Sequence, residues 1–431
     1  MSAGNPTTLI GGSGVLGLMT AVRLADAGHR VTVIEGRDRL SSGATSQNLG
    51  GIQTGIVYVP KFEACVEPFK EGVGHYQHMF PHAQVNEDPK WYVGTPNDIA
   101  TLRSRLVDHQ ISFRDVRLDE RLEVFRPESV AAFDGVEVPG EFVASSHRVM
   151  QDLAQRCRDL GVTFVLGQPI QDVSFTKDKY GLRATGVQTT KGSYGADNVV
   201  LACGFGMPDI AAKIDRRFGS ALNRHFAVSR GTYYLTRPGA LPLRRAIHTV
   251  SDTLPSIMPA RNGHVYIVNS STDLDKGDWR SLQPYNEGFV NNEHPVMSYE
   301  AADLKCAPNP ELDPDGRATT ETIPLPGIVG PRQTGIRNLH FGNPGRMTFA
   351  PSASHALAFE VCGHKAGDIV MDPFVRPIEY ETAKLVNPPV WAYGGQIERT
   401  NGSFMDLGDR LRATLLPDQT HVDGRDASLE H

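Results

Sequence analysis

The sequence predicts an α/β protein, with a Rossmann-like dinucleotide-binding domain joined to a second, mostly antiparallel β domain. Three observations carry this expectation. A glycine-rich turn near the N-terminus lies between a short apolar run and a helical stretch. A second apolar run, ending on an acid, follows at the spacing of a βαβ unit. Short β-like runs separated by turn signals fill residues 223–336.

The elements follow in order. Leu9-Ile10 is the first strand, and a helix is expected from about Val15 to Ala27, with Gly28 where a C-terminal glycine belongs. Gly12, Gly14 and Gly17 satisfy G-x-G-x-x-G. With 43 glycines in 431 residues the pattern alone is weak, and its strand-to-helix context makes it specific. Gly12 permits the tight turn, Gly14 lets the backbone approach a pyrophosphate beside Ser13, and Gly17 lets helix and strand pack closely. The helix N-terminus offers free N–H groups to the phosphates. Val31 to Ile34 is the second strand, and Glu35 lies 23 residues after Gly12, where a ribose-binding acid is expected. A carboxylate there accepts from ribose hydroxyls and repels a 2′-phosphate, which disfavours NADP.

The next stretch selects the dinucleotide. Gly43, Ala44, Thr45 and Ser46 offer backbone N–H groups and two hydroxyls to the far side of a pyrophosphate, with Asn48 just beyond. Gly50 and Gly51 would let the chain pass close to a flat ring. A nicotinamide enzyme has no need of this second loop, so the cofactor expected is FAD.

The run Gly43-Ala44-Thr45-Ser46-Gln47-Asn48-Leu49-Gly50-Gly51-Ile52-Gln53-Thr54-Gly55 resembles the "GAT/SxxNxGxIxxG" stretch of the D-amino-acid oxidase superfamily of FAD-dependent oxidoreductases. That group includes glycine and sarcosine oxidases, glycerol-3-phosphate dehydrogenases and L-2-hydroxyglutarate dehydrogenases. Further matches are collinear to about residue 370. Asn198 to Gly204 is similar to "vVlAaG", Ser229 to Leu235 to "xRGqxxxL", and Met258 to Ile267 to "vPrxdGxvxiG". Asn338 to Gly342 and Gly345 to Pro351 resemble the closing strand, loop and helix over the flavin. The resemblance implies a glutathione-reductase-type FAD domain. It implies cofactor contacts at Ile170, which would meet the adenine, and at Ala202, Gly204, Gly342, Gly345, Arg346, Met347 and Thr348. It divides the chain into an FAD domain (1–85, 143–222 and 337–372), a substrate domain (86–142 and 223–336) and a C-terminal extension (373–431). Residues 301–335, rich in Pro, Gly and Asp, are expected to be loop, and Phe404 to Leu416 a helix.

The flavin would take a hydride at N5 from a substrate carbon, while protein groups bind and orient. A substrate carboxylate asks for an arginine fork. Arg346 is the first candidate, in the loop that by resemblance passes the isoalloxazine; flavin contact or a plain salt bridge are its other readings. Arg317 is a second candidate, against a solvated loop arginine. His248 has the right type for a base near neutral pH, and Tyr266, with Tyr233 and Tyr234, is a pocket candidate; packing roles compete for each. Gln53 stands where many hydroxy-acid relatives carry histidine. It can neither act as a base nor link covalently to flavin, so non-covalent FAD is expected and the balance tips toward amines. Gly55 to Pro60, by contrast, resembles "GIYYxP" of the L-2-hydroxyglutarate group.

Net charge is -6, so neither nucleic acid nor a polybasic membrane contact is expected. No apolar run approaches the roughly 20 residues needed to span a bilayer, and no signal peptide is read at the N-terminus. Five scattered cysteines, with no C-x-x-C, fit reduced thiols in a cytoplasmic protein and no metal site, with Cys203 a small apolar filler. The last three residues read like the start of an expression tag. The expected partners are a small-molecule substrate and oxygen or another electron acceptor, with the oligomeric state open. The activity expected is oxidation of a C–N bond in a small amino acid or amine. The alternative is a 2-hydroxy acid or polyol dehydrogenase passing electrons to a quinone or carrier. A flavin monooxygenase lacks a second nucleotide motif here, and a non-catalytic flavoprotein would bind FAD without turnover.

Overall fold

Thr8 to Gly11 in the strand Thr7–Gly11 and the apolar Val31, Val33 and Ile34 in the strand Arg30–Ile34 are buried, as a parallel sheet covered on both faces requires. In the computed structural model, which describes residues 5–59, 63–86, 88–118, 131, 133–236, 243–250, 256–260, 263–268, 295–306, 326–362 and 378–387, they form the centre of a six-stranded sheet. Its order is Gly327–Val329, Leu339–Asn343, Asn198–Leu201, Thr7–Gly11, Arg30–Ile34, Thr163–Val165. Every pairing is parallel except that of the edge strand Gly327–Val329.

Helices Val15–Asp26, Ser146–Asp159 and Ala350–Cys362 cover one face through a core that includes Leu16, Met19, Leu153 and Leu357. The other face carries helix Met207–Phe218 and the three-stranded meander Ile170–Asp178, Gly181–Thr189, Gly192–Gly195. Glycines decide two of the close approaches. A Cβ on Gly17 would stand 2.1 Å from the Gly12 carbonyl oxygen, and one on Gly342 would stand 2.4 Å from Leu357 Cδ1.

A second sheet has eight strands in the order Pro295–Cys306, Phe226–Thr236, Val265–Val268, Ser256–Pro259, Ile247–Thr249, Lys90–Gly94, Asp134–Val138, Arg114–Val116. It is antiparallel except where Ile247–Thr249 runs parallel to Lys90–Gly94. That pairing joins strands from residues 86–142 to strands from residues 223–336. Register places His248 opposite Tyr92, and Tyr266 opposite Met258. Alternation then puts Lys90, Tyr92, His248, Met258 and Tyr266 on one face of the sheet. This face looks toward the loop 43–51, since a Cβ on Gly51 would lie 3.8 Å from Met258.

The loop expected over 301–335 is corrected in part. Residues 301–306 complete the long strand Pro295–Cys306, because Phe226–Thr236 supplies a full antiparallel partner. Gly327–Val329 and the short helix Pro331–Thr334 take up the other end. Beyond the closing helix, Tyr380–Leu385 packs on Ser146–Asp159: Arg158 Nη1 donates to Thr382 Oγ1 at 2.9 Å, and a parallel bridge joins Val386 to Leu40. The helix expected at Phe404 to Leu416, like Arg317, lies outside the described residues. Among the described residues no helix is long and apolar enough to cross a membrane.

Candidate active site

The first strand ends at Gly11, and Gly12 turns the chain with φ 93°, a conformation open to glycine. A Cβ on Gly12 would stand 2.4 Å from the Ala202 carbonyl oxygen. Gly14 differs: its Cβ would meet only Thr45 Oγ1, at 3.1 Å, so the mouth of the turn is open. Gly14 begins helix Val15–Asp26, and Val15 N–H donates to Thr45 Oγ1 at 3.1 Å. Glu35 closes the turn from the side: its Oε2 accepts from Ser13 N–H at 3.1 Å and from Ser13 Oγ at 2.5 Å, and Oε1 accepts from Arg37 N–H.

The second loop folds as consecutive i→i+3 turns, with Ser46 N–H bonded to Gly43 O, Gln47 to Ala44 O and Asn48 to Thr45 O. Ser46 Oγ donates back to Gly43 O, and Asn48 Oδ1 accepts from Gly50 N–H at 2.6 Å. Gly50 (φ 75°) passes so close to Ala144 that a Cβ would lie 2.0 Å from its carbonyl oxygen. A Cβ on Gly43 would meet nothing within 4 Å, so this glycine faces open space. Ile170 reaches over Gly11, beside Cys203, whose thiol burial pushes up to about 12, so it is neutral. Gly204 (φ 56°) turns the chain after Ala202. Met347 O accepts from Tyr76 Oη at 2.9 Å, and Thr348 Oγ1 lies 3.5 Å from Gly51 O, so the loop 345–348 is tied against the loop 43–51. An open helix N-terminus, a glycine cradle and an acid at the turn fit a dinucleotide in an extended pose.

Arg346 follows Gly345 (φ 67°), and its charge acts on His248 of the eight-stranded sheet. Its guanidinium lies over the Tyr58 ring, 5.5 Å from the centroid. Arg346 Nε is buried without a hydrogen-bond partner, and no carboxylate pairs with the group among the described residues. His248 stacks edge-on against Tyr92, 5.3 Å between centroids. Its side chain is half-buried. Its Nδ1 is buried with no hydrogen-bond partner among the described residues. Burial, then the charges of Lys90 and Arg346, push its pKa down to about 3. The neutral-pH base expected from residue type is therefore corrected: at pH 7 this imidazole is an uncharged and weak base. Burial raises the Tyr266 phenol, which stays protonated.

The same face carries a buried polar cluster, of which only Gln53 is among the residues the sequence singles out. Lys90 Nζ pairs with Glu141 Oε2 at 3.0 Å, and it donates to Gln53 Oε1 at 3.0 Å and Tyr92 Oη at 2.9 Å. Tyr92 Oη donates to Glu141 Oε2 at 2.6 Å, and Thr54 donates to Glu141 Oε1 through both its N–H and its hydroxyl. Lys90 and Glu141 are 2% and 0% exposed at the side chain, so each charge is held by the other. The one sequence signal for it is a lysine opening the apolar strand Lys90-Trp91-Tyr92-Val93. Of the other candidates, the side chains of Tyr233 and Tyr234 are outside the described residues.

A profile of the FAD-dependent oxidoreductase (DAO) family matches residues 8–301, and the chain belongs to that family. It is an FAD-dependent enzyme, with the sheet and cradle that such a cofactor requires. Among curated proteins it is similar to the D-amino acid dehydrogenase of Granulibacter bethesdensis, 27% identical over 259 residues covering 59% of this chain and 56% of that protein. It also matches the D-amino acid dehydrogenase of Chromohalobacter salexigens, 26% identical over 48% of this chain and 63% of that protein. The chain thus spans a little over half the length of the curated relatives it matches. Its fold is shared with glycine oxidase from Geobacillus kaustophilus (TM-score 0.60, 18% identity, 87% of this chain and 100% of that one). It is shared too with L-proline dehydrogenase from P. horikoshii (TM-score 0.59, 14% identity, 82% and 92%).

Proposed function

We propose that this enzyme oxidises the C–N bond of a small amino acid or amine, with Arg346 holding the carboxylate of an amino-acid substrate. The observation that carries this reading is a half-buried arginine with an aromatic face against it and no anionic partner among the described residues. A guanidinium so placed is costly unless an anion arrives, and its fork matches two carboxylate oxygens. Bound FAD supplies the two-electron acceptor. The chain supplies the rest. Arg346 anchors the acid end, and Tyr266 and Met258 extend the same wall. His248 stays neutral, so it adds no second cation beside Arg346 and presents no charge to a departing proton.

The names of the relatives favour amino acids over hydroxy acids, as does Gln53 in place of a basic histidine. They include both oxidases and dehydrogenases, so oxygen and a separate carrier both stand as acceptors. We also infer a reducing, cytoplasmic setting, in keeping with the reduced thiols of Cys65, Cys157, Cys203 and Cys362. The reading is tested by anaerobic bleaching of the flavin with matched pairs of free amino acids and their methyl esters. Bleaching by the free acids and not by the esters supports an arginine-held carboxylate. Equal bleaching by both members of each pair removes it.

A further inference from the structure

Lys90 has three N–H donors and no acceptor. All three are committed, to Glu141, Gln53 and Tyr92. A lysine that donates to Gln53 fixes the glutamine amide, because only its oxygen can face an ammonium group. The amide nitrogen must then point the other way, and it does: Gln53 Nε2 donates to Tyr58 Oη at 3.2 Å. Tyr58 Oη is therefore an acceptor on its inner side. Its own proton has no acceptor among the described residues, and the ring carrying it lies 5.5 Å from the Arg346 guanidinium. Glu141 is saturated in turn by Lys90, Tyr92 and Thr54, so the charge at the base of the chain is held in place.

We infer that Lys90 and Gln53 are positioning residues that set the direction of the Tyr58 proton, so that the Tyr58 hydroxyl donates into the cleft beside Arg346 and the two together define a site for an anionic oxygen. This rests on the carboxylate reading of Arg346 and deepens it. Lys90 and Gln53 do not touch the substrate; Tyr58 does. Gln53, a residue without charge, thereby becomes a determinant of acid recognition.

Replacing Gln53 by Glu tests the relay directly. The new carboxylate would still accept from Lys90, but it offers Tyr58 an acceptor in place of a donor. The Tyr58 proton would turn inward and the cleft would lose a donor. Wild type, Gln53→Glu, Tyr58→Phe, the double variant and Arg346→Ala are each purified with FAD, and acetate binding is read from the perturbed visible spectrum of the flavin. Gln53→Glu and Tyr58→Phe should each weaken acetate about tenfold or more, as expected for a lost hydrogen bond to a charged group. Because both act on one proton, the double variant should be no weaker than either single one. Wild-type flavin content in each variant shows that the cofactor site has survived. Additive losses, or unchanged affinity in Gln53→Glu, would overturn the relay. If Arg346→Ala weakens acetate while Gln53→Glu and Tyr58→Phe do not, the relay fails and the arginine reading stands. If acetate neither binds wild type nor responds to Arg346→Ala, both fail.

Discussion

At Arg346 a guanidinium stands over Tyr58 with its Nε buried and unpaired among the described residues. Removing it should hurt substrate binding far more than folding, since it leaves no partner stranded. Arg346→Ala should raise KM for an amino-acid substrate roughly 10- to 150-fold, the worth of a hydrogen bond to a charged group. Arg346→Lys should recover only part, because an ammonium lacks the fork. Steady-state kinetics with thermal melting alongside separate the two effects. Gln53 carries a second prediction. An amide occupied by Lys90 and Tyr58 has no nucleophilic atom to offer, so acid precipitation of the holoenzyme should release all the flavin into the supernatant; flavin retained in the pellet would refute non-covalent binding. At this scale the sequence is only partly legible. Arg346 stands out because a loop pattern surrounds it. Lys90, Glu141 and Tyr58 do not, because their meaning lies in contacts such as Thr54 with Glu141, separated by 87 positions.

The glycine turn and its helix are legible in nearly full detail, since φ, helix start and helix end are local properties of residues 11–28. The helix spans Val15–Asp26, with Gly28 at φ 87° just beyond. The same element separates two kinds of glycine. Gly17→Ala drives a methyl into the Gly12 carbonyl oxygen and should abolish soluble folded protein. Gly14→Ala meets only a threonine hydroxyl at 3.1 Å, so it should keep the circular dichroism spectrum and weaken FAD binding by about tenfold or more, the cost of a methyl in the pyrophosphate's path. Flavin titration of the apoprotein checks this. The strand Pro295–Cys306 shows the opposite case. Its last residues resemble the start of a loop because the Pro- and Gly-rich composition beyond them dominates. Strand pairing depends on a partner about 70 residues earlier, which local composition does not reveal.

Across the whole molecule, the parallel pairing of Ile247–Thr249 with Lys90–Gly94 joins two separated stretches and builds the wall that faces the loop 43–51. Collinear motifs suggest the division into pieces, whereas the register that sets His248 against Tyr92 has no sequence signal. Buried histidines give the fold its pH dependence. Burial lowers His248 to about 3 and His340 to about 4, and His29 and His355 move in the same direction. The unfolded chain binds protons at His248 and His340 below about pH 6.5, while the fold leaves these two neutral down to about pH 4. Stability is therefore full above that pH and declines as pH falls toward 4. The melting temperature should drop already between pH 6.5 and 5, above the range of ordinary carboxylates, and His340→Leu should flatten that slope.

The class of bond oxidised is tested most directly by anaerobic reduction of the bound flavin with paired amino acids and 2-hydroxy acids of the same carbon skeleton. Bleaching by an amino acid, release of ammonia and the matching oxo acid, and little change with the hydroxy acid are expected. Bleaching by the hydroxy acid alone would contradict C–N oxidation.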